Sequence, residues 1–212
     1  MEDFTTYTET DPTSKITITS TKVDWAALSS GTSARVLVDK GASFFDGDFE
    51  IHWEGFLNTT TTDGSGGNAI AVANINNLSV ANNTDDQLRV RFQDEGNARF
   101  NLQEGNGGSM VQDFDGLTLS TLYYCKFVRD ESVGSFGTLY NYVYSDSGRT
   151  TLVATQTLTL RGFVDFRYLY AMSGQESGTD SLTGYVQNFD IISGGGGGAA
   201  VVPSMATLGV GA

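Results

Sequence analysis

The chain is poor in the residues that staple, kink or catalyse. Of its 212 residues two are Pro, one is Cys and one is His. A lone cysteine, Cys125, closes no intrachain disulfide, so packing and hydrogen bonds must hold the fold. Set among Tyr123, Tyr124 and Phe127, it reads as a buried, inert thiol. The single histidine, His52, excludes a His-rich metal centre and leaves any Ser-His-Asp triad hanging on one residue. Positive charge is also scarce: 12 Lys and Arg stand against 25 Asp and Glu, for a formal charge of -13. Such a surface repels phosphate backbones and no basic cluster offsets it, so nucleic acid is not an expected partner. No run of about 18 apolar residues occurs, so no helical membrane span is expected. The acidic start, MEDFTTYTETD, lacks the apolar segment of a secretory signal.

What the chain does have is glycine (26), Phe (13) and Tyr (9), with Thr and Val recurring in short runs. These compositions favour strands separated by turns. The clearest stretch is Leu122 to Val153. In its first strand Tyr123, Cys125, Phe127 and Arg129 share one face, and Tyr124, Lys126, Val128 and Asp130 the other, because strand side chains alternate. In its second, Tyr140, Tyr142 and Tyr144 oppose Leu139, Asn141 and Val143. Ser145 to Gly148 then turn the chain. Elsewhere Phe4–Thr8, Lys15–Ser20, Lys22–Trp25, Ala34–Asp39, Asp48–Leu57, Ala69–Ile75, Gln87–Asp94, Ala98–Glu104, Met110–Asp113, Leu152–Leu160, Phe163–Met172 and Leu182–Ile192 read as strands. No 3.6-residue period competes with them. The expectation is an all-β antiparallel sandwich over residues 1–193. A glycine spacer, 194–198, and a nearly uncharged apolar segment, 199–212, follow it.

The sequence Val128-Arg129-Asp130, then Gly137-Thr138-Leu139-Tyr140 and a polar turn, resembles the central hairpin of concanavalin A-like (laminin G and pentraxin-like) jelly rolls. Ser145-Asp146-Ser147-Gly148 stands where that family has Asp-Gly. The resemblance implies a two-sheet jelly-roll sandwich with lectins and glucanases among its members. Glu50-Ile51-His52-Trp53-Glu54 also resembles the E-x-D-x-E strand of the glucanases, which implies carboxylate roles for Glu50 and Glu54 in glycoside hydrolysis. His52 replaces the middle Asp that keeps the two carboxyls apart in pKa, so a solvated or ion-paired strand face is the competing reading of these residues.

A wider constellation is polar. Glu50, His52, Glu54, Arg89, Arg91, Gln93, Arg99, Asn101, Gln103 and Arg167 fall on the polar sides of their strands. If those strands share a sheet, they form one surface of carboxylates, amides and guanidinium groups suited to sugar hydroxyls. Cross-strand ion pairing is the plainer alternative. Eight of them, Glu50, His52, Glu54, Arg89, Arg91, Arg99, Asn101 and Arg167, are the glycan-binding candidates. Phe56 or a tyrosine of the 140–142–144 row would supply the aromatic contact. Asn82-Asn83-Thr84-Asp85-Asp86 and Gly178-Thr179-Asp180 offer oxygen ligands for a structural Ca²⁺, the one cofactor the sequence leaves open; their spacing matches no defined loop.

The last segment carries Val201, Val202, Met205, Leu208 and Val210 with Pro203 between them. An apolar strip on a glycine tether reads as an assembly arm for capsid or sister subunits, and hence a homo-oligomer. The chain resembles concanavalin A-like domains of tailed-phage virion proteins in TYTETDPTSKITIT, DKGASFFDGDFE, FRYLYAM and GYVQNFDI. That resemblance implies a non-enzymatic capsid decoration protein, made in the host cytoplasm and displayed on the virion, with lectin-like binding added. A carbohydrate-binding adhesin is the alternative and a glycoside hydrolase the third reading. None of the three implies a membrane partner.

Overall fold

Alternation of polar and apolar side chains decides the architecture, because each strand needs a partner layer for its apolar face. The computed structural model describes residues 1–29, 34–61, 65–78, 85–174 and 181–194. Its strands are β1 (Thr8–Thr10), β2 (Ile16–Ile18), β3 (Lys22–Ser29), β4 (Arg35–Asp39), β5 (Phe49–Thr60), β6 (Ser65–Ala73), β7 (Gln87–Asp94), β8 (Ala98–Asn106), β9 (Ser109–Gly116), β10 (Thr121–Asp130), β11 (Thr138–Tyr144), β12 (Leu152–Thr159), β13 (Tyr168–Ser173) and β14 (Ser181–Gly194). They form two seven-stranded sheets. Sheet A runs β1-β4-β13-β6-β7-β8-β9, and sheet B runs β12-β11-β10-β5-β14-β3-β2. Every pairing is antiparallel. The expected two-sheet antiparallel sandwich is what forms.

The core lies between the sheets. From sheet B, Trp25, Phe49, Ile51, Trp53, Cys125 and Phe127 face Val90, Phe92, Phe100, Leu102 and Leu169 of sheet A, all buried. Aromatic rings meet edge-on, as their quadrupoles prefer: Trp53 and Phe100 lie 5.9 Å apart at 87°, and Phe45 and Phe49 5.5 Å apart at 76°. Gly55 follows Trp53 on the same inward face, and a Cβ there would stand 2.6 Å from Trp53 Cζ3. The missing side chain is what lets the indole lie flat along the strand. Cys125 is fully enclosed, and burial pushes its thiol well above the ordinary thiol pKa, which fits an inert group.

The central hairpin forms as the alternation predicts, with Tyr124 opposite Tyr144 and Val128 opposite Tyr140. Other ends differ from expectation. Phe4–Thr6 is a 3₁₀ turn, since the Asp3 carboxylate accepts from Thr5 N and Thr5 Oγ1 and caps it. Lys22–Ser29 runs beyond Trp25, with Ala27 in the left-handed region (φ 49°) where β3 bulges against β14. Residues 163–167 leave the ladder: Val164 O accepts from Arg129 Nη1 and Phe166 O from Phe45 N. A buried arginine and the Phe45 N–H thus take two backbone carbonyls that a strand would have used.

Val201, Val202, Met205, Leu208 and Val210 lie outside the described residues, as do Asn82, Asn83, Thr84 and 178–180.

Candidate functional site

The outward face of sheet A is built by register. One row crosses it as Thr10, Arg35, Ser173, Asn68, Arg91, Asn101 and Phe114. The next runs Thr8, Leu37, Tyr170, Ala71, Arg89, Gln103 and Gln112, and a third runs Asp39, Tyr168, Ala73, Gln87, Gly105 and Met110. The small side chains of Ala71 and Ala73 leave room for the segment after β6 to lie over this face. There Leu78 packs with Leu37, Ala71, Ala73 and Tyr170. Tyr170 is fixed beneath it, donating from its hydroxyl to Ile75 O at 2.5 Å and accepting from Leu78 N at 3.3 Å. Burial pushes the phenol up to about 12.

The β7–β8–β9 half of this face is polar yet buried. Arg89 Nε donates to Gln103 Oε1 at 2.6 Å, Gln103 Nε2 to Gln112 Oε1 at 3.0 Å, and Asn101 Nδ2 to Gln93 Oε1 at 2.5 Å. Asn68 Nδ2 donates to Ser173 Oγ at 2.6 Å. Buried polar groups persist only when they are paired, and here amides pair with amides and guanidinium. The Oδ1 atoms of Asn68 and Asn101 are buried without a hydrogen-bond partner among the described residues.

The β1–β4–β13 half is open. A cleft of about 270 Å³ lies among Thr8, Thr10, Arg35, Leu37, Asp39, Asn76 and Tyr168. Arg167 borders it, with Nε and Nη2 bonded to the two Asp39 oxygens at 2.8 and 2.6 Å, and its guanidinium 5.3 Å from the Tyr168 ring. Those bonds, with one from Gly41 N, hold the Asp39 carboxyl below the usual carboxylate range. The cleft therefore combines fixed cationic donors, a carboxylate, an amide, two hydroxyls and a phenol.

The eight predicted residues do not make one surface. Arg89, Arg91, Arg99 and Asn101 project from the outer face of sheet A, and Arg167 stands at its cleft. Glu50, His52 and Glu54 lie on the outer face of sheet B, because β5 pairs with β10 and β14 and shows its alternate residues to the opposite side of the sandwich. There Glu50 Oε1 is 2.5 Å from His52 Nε2 and 3.6 Å from Lys126 Nζ, and Glu54 accepts from Gln187 Nε2 at 2.7 Å. The two carboxylates are thus held by an imidazole, an ammonium and an amide. Arg89, Arg91 and Asn101 are enclosed, so of the sheet A candidates only Arg99 and Arg167 reach solvent.

Arg35, Asp39, Asn76 and Tyr168 were missed by sequence reasoning. The alternation in Arg35-Val36-Leu37-Val38-Asp39 puts the two charged residues on one side. That β4 and β13 sit side by side, across about 130 residues of chain, is written in no local pattern. Among the described residues no group of three or more His, Cys, Asp or Glu is placed to hold a metal; Asp86 instead accepts from Gly107 N at 3.0 Å.

No known family's sequence profile matches the chain, and no curated protein sequence does. Solved structures do. A legume lectin-like domain from Entamoeba histolytica superposes with a TM-score of 0.60 at 12% identity, covering 89% of this chain and 90% of that one. The fold is the concanavalin A-like jelly roll. The PL-14 alginate lyase of Aplysia kurodai aligns at 0.55 and 10% identity over 89% of this chain and 87% of its own. The β-glucanase of Bacillus licheniformis aligns at 0.53 and 10% over 90% and 95%. Lectins and carbohydrate-active enzymes share this jelly roll, so the likeness fixes architecture and leaves the activity to the site.

Proposed function

We propose that this concanavalin A-like sandwich is a lectin-like carbohydrate-binding protein whose ligand occupies the sheet A cleft, and that sugars bearing a carboxylate are the preferred class. The observation that carries the reading is the cleft itself: Arg35, Asp39, Asn76 and Tyr168 converge on about 270 Å³ beside the threonine hydroxyls of β1. A few placed polar groups around a concave site are what orient a small polar ligand. Charge supports the ligand class. In a chain of net charge -13, five of its 12 cations, Arg35, Arg89, Arg91, Arg99 and Arg167, stand on or beside this one face. Asp39, Asp85 and Glu95 oppose them there. Alginate lyases and a glucuronan lyase are among the proteins of similar structure, which supports a carboxylated sugar as the ligand class.

Binding is favoured over catalysis by what surrounds the cleft. Its one carboxylate, Asp39, is held by Arg167, and the Tyr170 hydroxyl is committed to Ile75 O and Leu78 N. His52 sits on the other sheet. General acid–base work needs a pair of titratable groups within reach of the bond it breaks, and among the described residues this cleft offers the Tyr168 phenol beside a carboxylate already held by Arg167.

The test is calorimetry with an oligomannuronate and a neutral oligomannoside. A hydrogen bond to a charged group contributes about 1.5–3 kcal/mol, so Arg35→Ala raises Kd for the oligomannuronate about tenfold or more. Tyr168→Ala weakens binding too, and no ultraviolet-absorbing unsaturated sugar accumulates. Binding of neither sugar, or equal affinity in both variants, removes the proposal. Display on a virion through Val201, Val202, Met205, Leu208 and Val210 remains a proposal from the sequence, for which avidity through multivalency is the physical motive.

A further inference from the structure

The outward face of sheet B is unusual for a strand face turned to water. Its edge strand β12 shows Thr155, Thr157 and Thr159, all exposed, as expected. The four strands inside it set half-buried aromatic rings among Glu50, His52, Glu54, Lys126 and Gln187: Tyr185 from β14, Phe56 from β5, Tyr124 from β10, and Tyr140, Tyr142 and Tyr144 from β11. None of them joins the core between the sheets. Aromatic side chains so placed, five of the six with a hydroxyl end, are the usual material of recognition surfaces.

One end of this face is shaped into a cleft of about 200 Å³, lined by Asp24, Phe56, Asn58, Thr183, Gly184 and Tyr185. A bulge at Thr183–Gly184 makes it, and bulges are often used to re-aim side chains beside sites. The bulge is held in place: Ala27 N donates to Thr183 Oγ1 at 2.9 Å, and a Cβ on Gly184 would lie 2.4 Å from Phe56 O. The Phe56 and Tyr185 rings stand parallel, 13° apart in plane and 4.8 Å between centroids. Lys22 Nζ lies 4.9 Å from the Tyr185 ring centre and bonds Asp24 Oδ2 at 2.6 Å. Asn58 Oδ1 accepts from Ser120 Oγ at 3.0 Å, which turns its NH₂ away from that bond.

We propose that this cleft is a second carbohydrate subsite, separate from the sheet A cleft, and that it takes one ring of a neutral glycan. The apolar face of a pyranose packs across the exposed edges of the Phe56 and Tyr185 rings, whose faces are covered by each other and by Lys22. Vicinal hydroxyls donate to the Asp24 carboxylate and accept from the Asn58 amide. The ligand is neutral because the Lys22 ammonium is paired with Asp24 and the nearby Glu54 carboxylate with the Gln187 amide, so no cation beside the cleft is left for an anionic sugar among the described residues. It is one ring because the volume is below the about 300–1,000 Å³ of sites that enclose drug-sized ligands. Tyr124 and Tyr144, directly opposite each other on β10 and β11, continue the aromatic surface for the neighbouring residues of the chain. The subsite stands on its own residues and does not depend on the sheet A reading.

The experiment is calorimetric titration of the full chain with hexasaccharides of β-1,3-glucose, β-1,4-glucose, β-1,4-mannose and β-1,4-galactose. At least one binds. Asn58→Ala and Tyr185→Ala each raise its Kd about tenfold, Tyr185→Phe stays within about threefold because the stacked ring is kept, and Arg35→Ala in the other cleft leaves it unchanged. Asn58 is exposed, so Asn58→Ala carries the test if Tyr185→Ala fails to fold. Failure of all four sugars to bind at millimolar concentration overturns the proposal. So does binding lost on Arg35→Ala but not on Asn58→Ala. A wild-type dimer in sedimentation that Tyr185→Ala converts to monomer also overturns it, assigning the aromatic face to a second copy of the chain.

Discussion

Gln156 is a polar side chain almost fully inside the sandwich, and it binds three strands at once. Its Nε2 donates to Phe100 O at 3.0 Å and Asp113 O at 2.9 Å on sheet A, while its Oε1 accepts from Asn141 Nδ2 at 2.8 Å on sheet B. Apart from this bridge and the bond from Thr157 N to Asp113 Oδ2 at 2.9 Å at the edge, the strands of the two sheets meet mainly through apolar contacts, which resist separation but not sliding. A buried group left without its partner costs about 1–3 kcal/mol. Gln156→Leu strands two carbonyls and an amide, and should lower unfolding free energy by about 2 kcal/mol or more in urea, with an unchanged slope. A loss under about 0.5 kcal/mol would mean that water replaces the bridge. Residues of this kind were half legible. Alternation places Gln156 on the inner side with Leu158, and Asn141 with Leu139 and Val143. Nothing in the sequence says that their amides meet each other across β11 and β12. Arg91 and Asn101 show the converse: their polarity reads as solvent exposure, yet the structure buries them.

At the scale of elements, the turn between β11 and β12 is organised by one carboxylate. Asp146 accepts from Thr151 N at 2.6 Å, Thr150 N at 3.1 Å and Thr150 Oγ1 at 3.0 Å. These bonds hold its carboxyl below the ordinary value of 3.8. A carboxyl depressed on folding stabilises the fold above its unfolded pKa, and that contribution is lost as pH falls through the folded one. The melting-temperature gap between wild type and Asp146→Ala should therefore be widest near neutrality and should close as pH drops below 3.8. A gap constant from neutral to strongly acid pH would show that the turn does not depend on the charge. The turn itself was readable, since Ser-Asp-Ser-Gly breaks the tyrosine alternation. The strands flanking it were readable for the same reason. Phe163–Arg167 was not: its hydrophobic pattern promises a strand, but Arg129, 35 positions earlier, draws on the Val164 carbonyl. Long-range demand on the backbone leaves no mark in a local window.

For the whole molecule, the sum of charges conceals a polarisation. The chain carries -13, while arginines gather at the outer face of sheet A and the sheet B cleft is locally balanced by the Lys22–Asp24 pair. Total charge and strand pattern were legible from composition and alternation. The division of polar candidates between two opposite faces was not, because it depends on which strands become neighbours. This polarisation makes the two proposed sites respond differently to salt. A carboxylated oligosaccharide approaching sheet A feels the long-range repulsion of the whole protein before it meets the arginines. The screening length falls from about 30 Å at 0.01 M to about 8 Å at 0.15 M, so added salt removes that distant repulsion first, while contacts within the cleft are screened less. Its association rate should rise across that range. Its dissociation rate, set by contacts with Arg35 and its neighbours, should change less. A neutral hexasaccharide entering the Tyr185 cleft carries no charge for that field to act on, and both of its rates should stay level. Stopped-flow or surface-plasmon measurements of the two ligands at the two salt concentrations decide it. A fall in the carboxylated ligand's association rate would mean that the arginine field, not the overall charge, governs its approach. A rate for the neutral sugar that tracks salt would mean that salt alters the cleft itself, breaking the half-exposed Lys22–Asp24 pair that lines it.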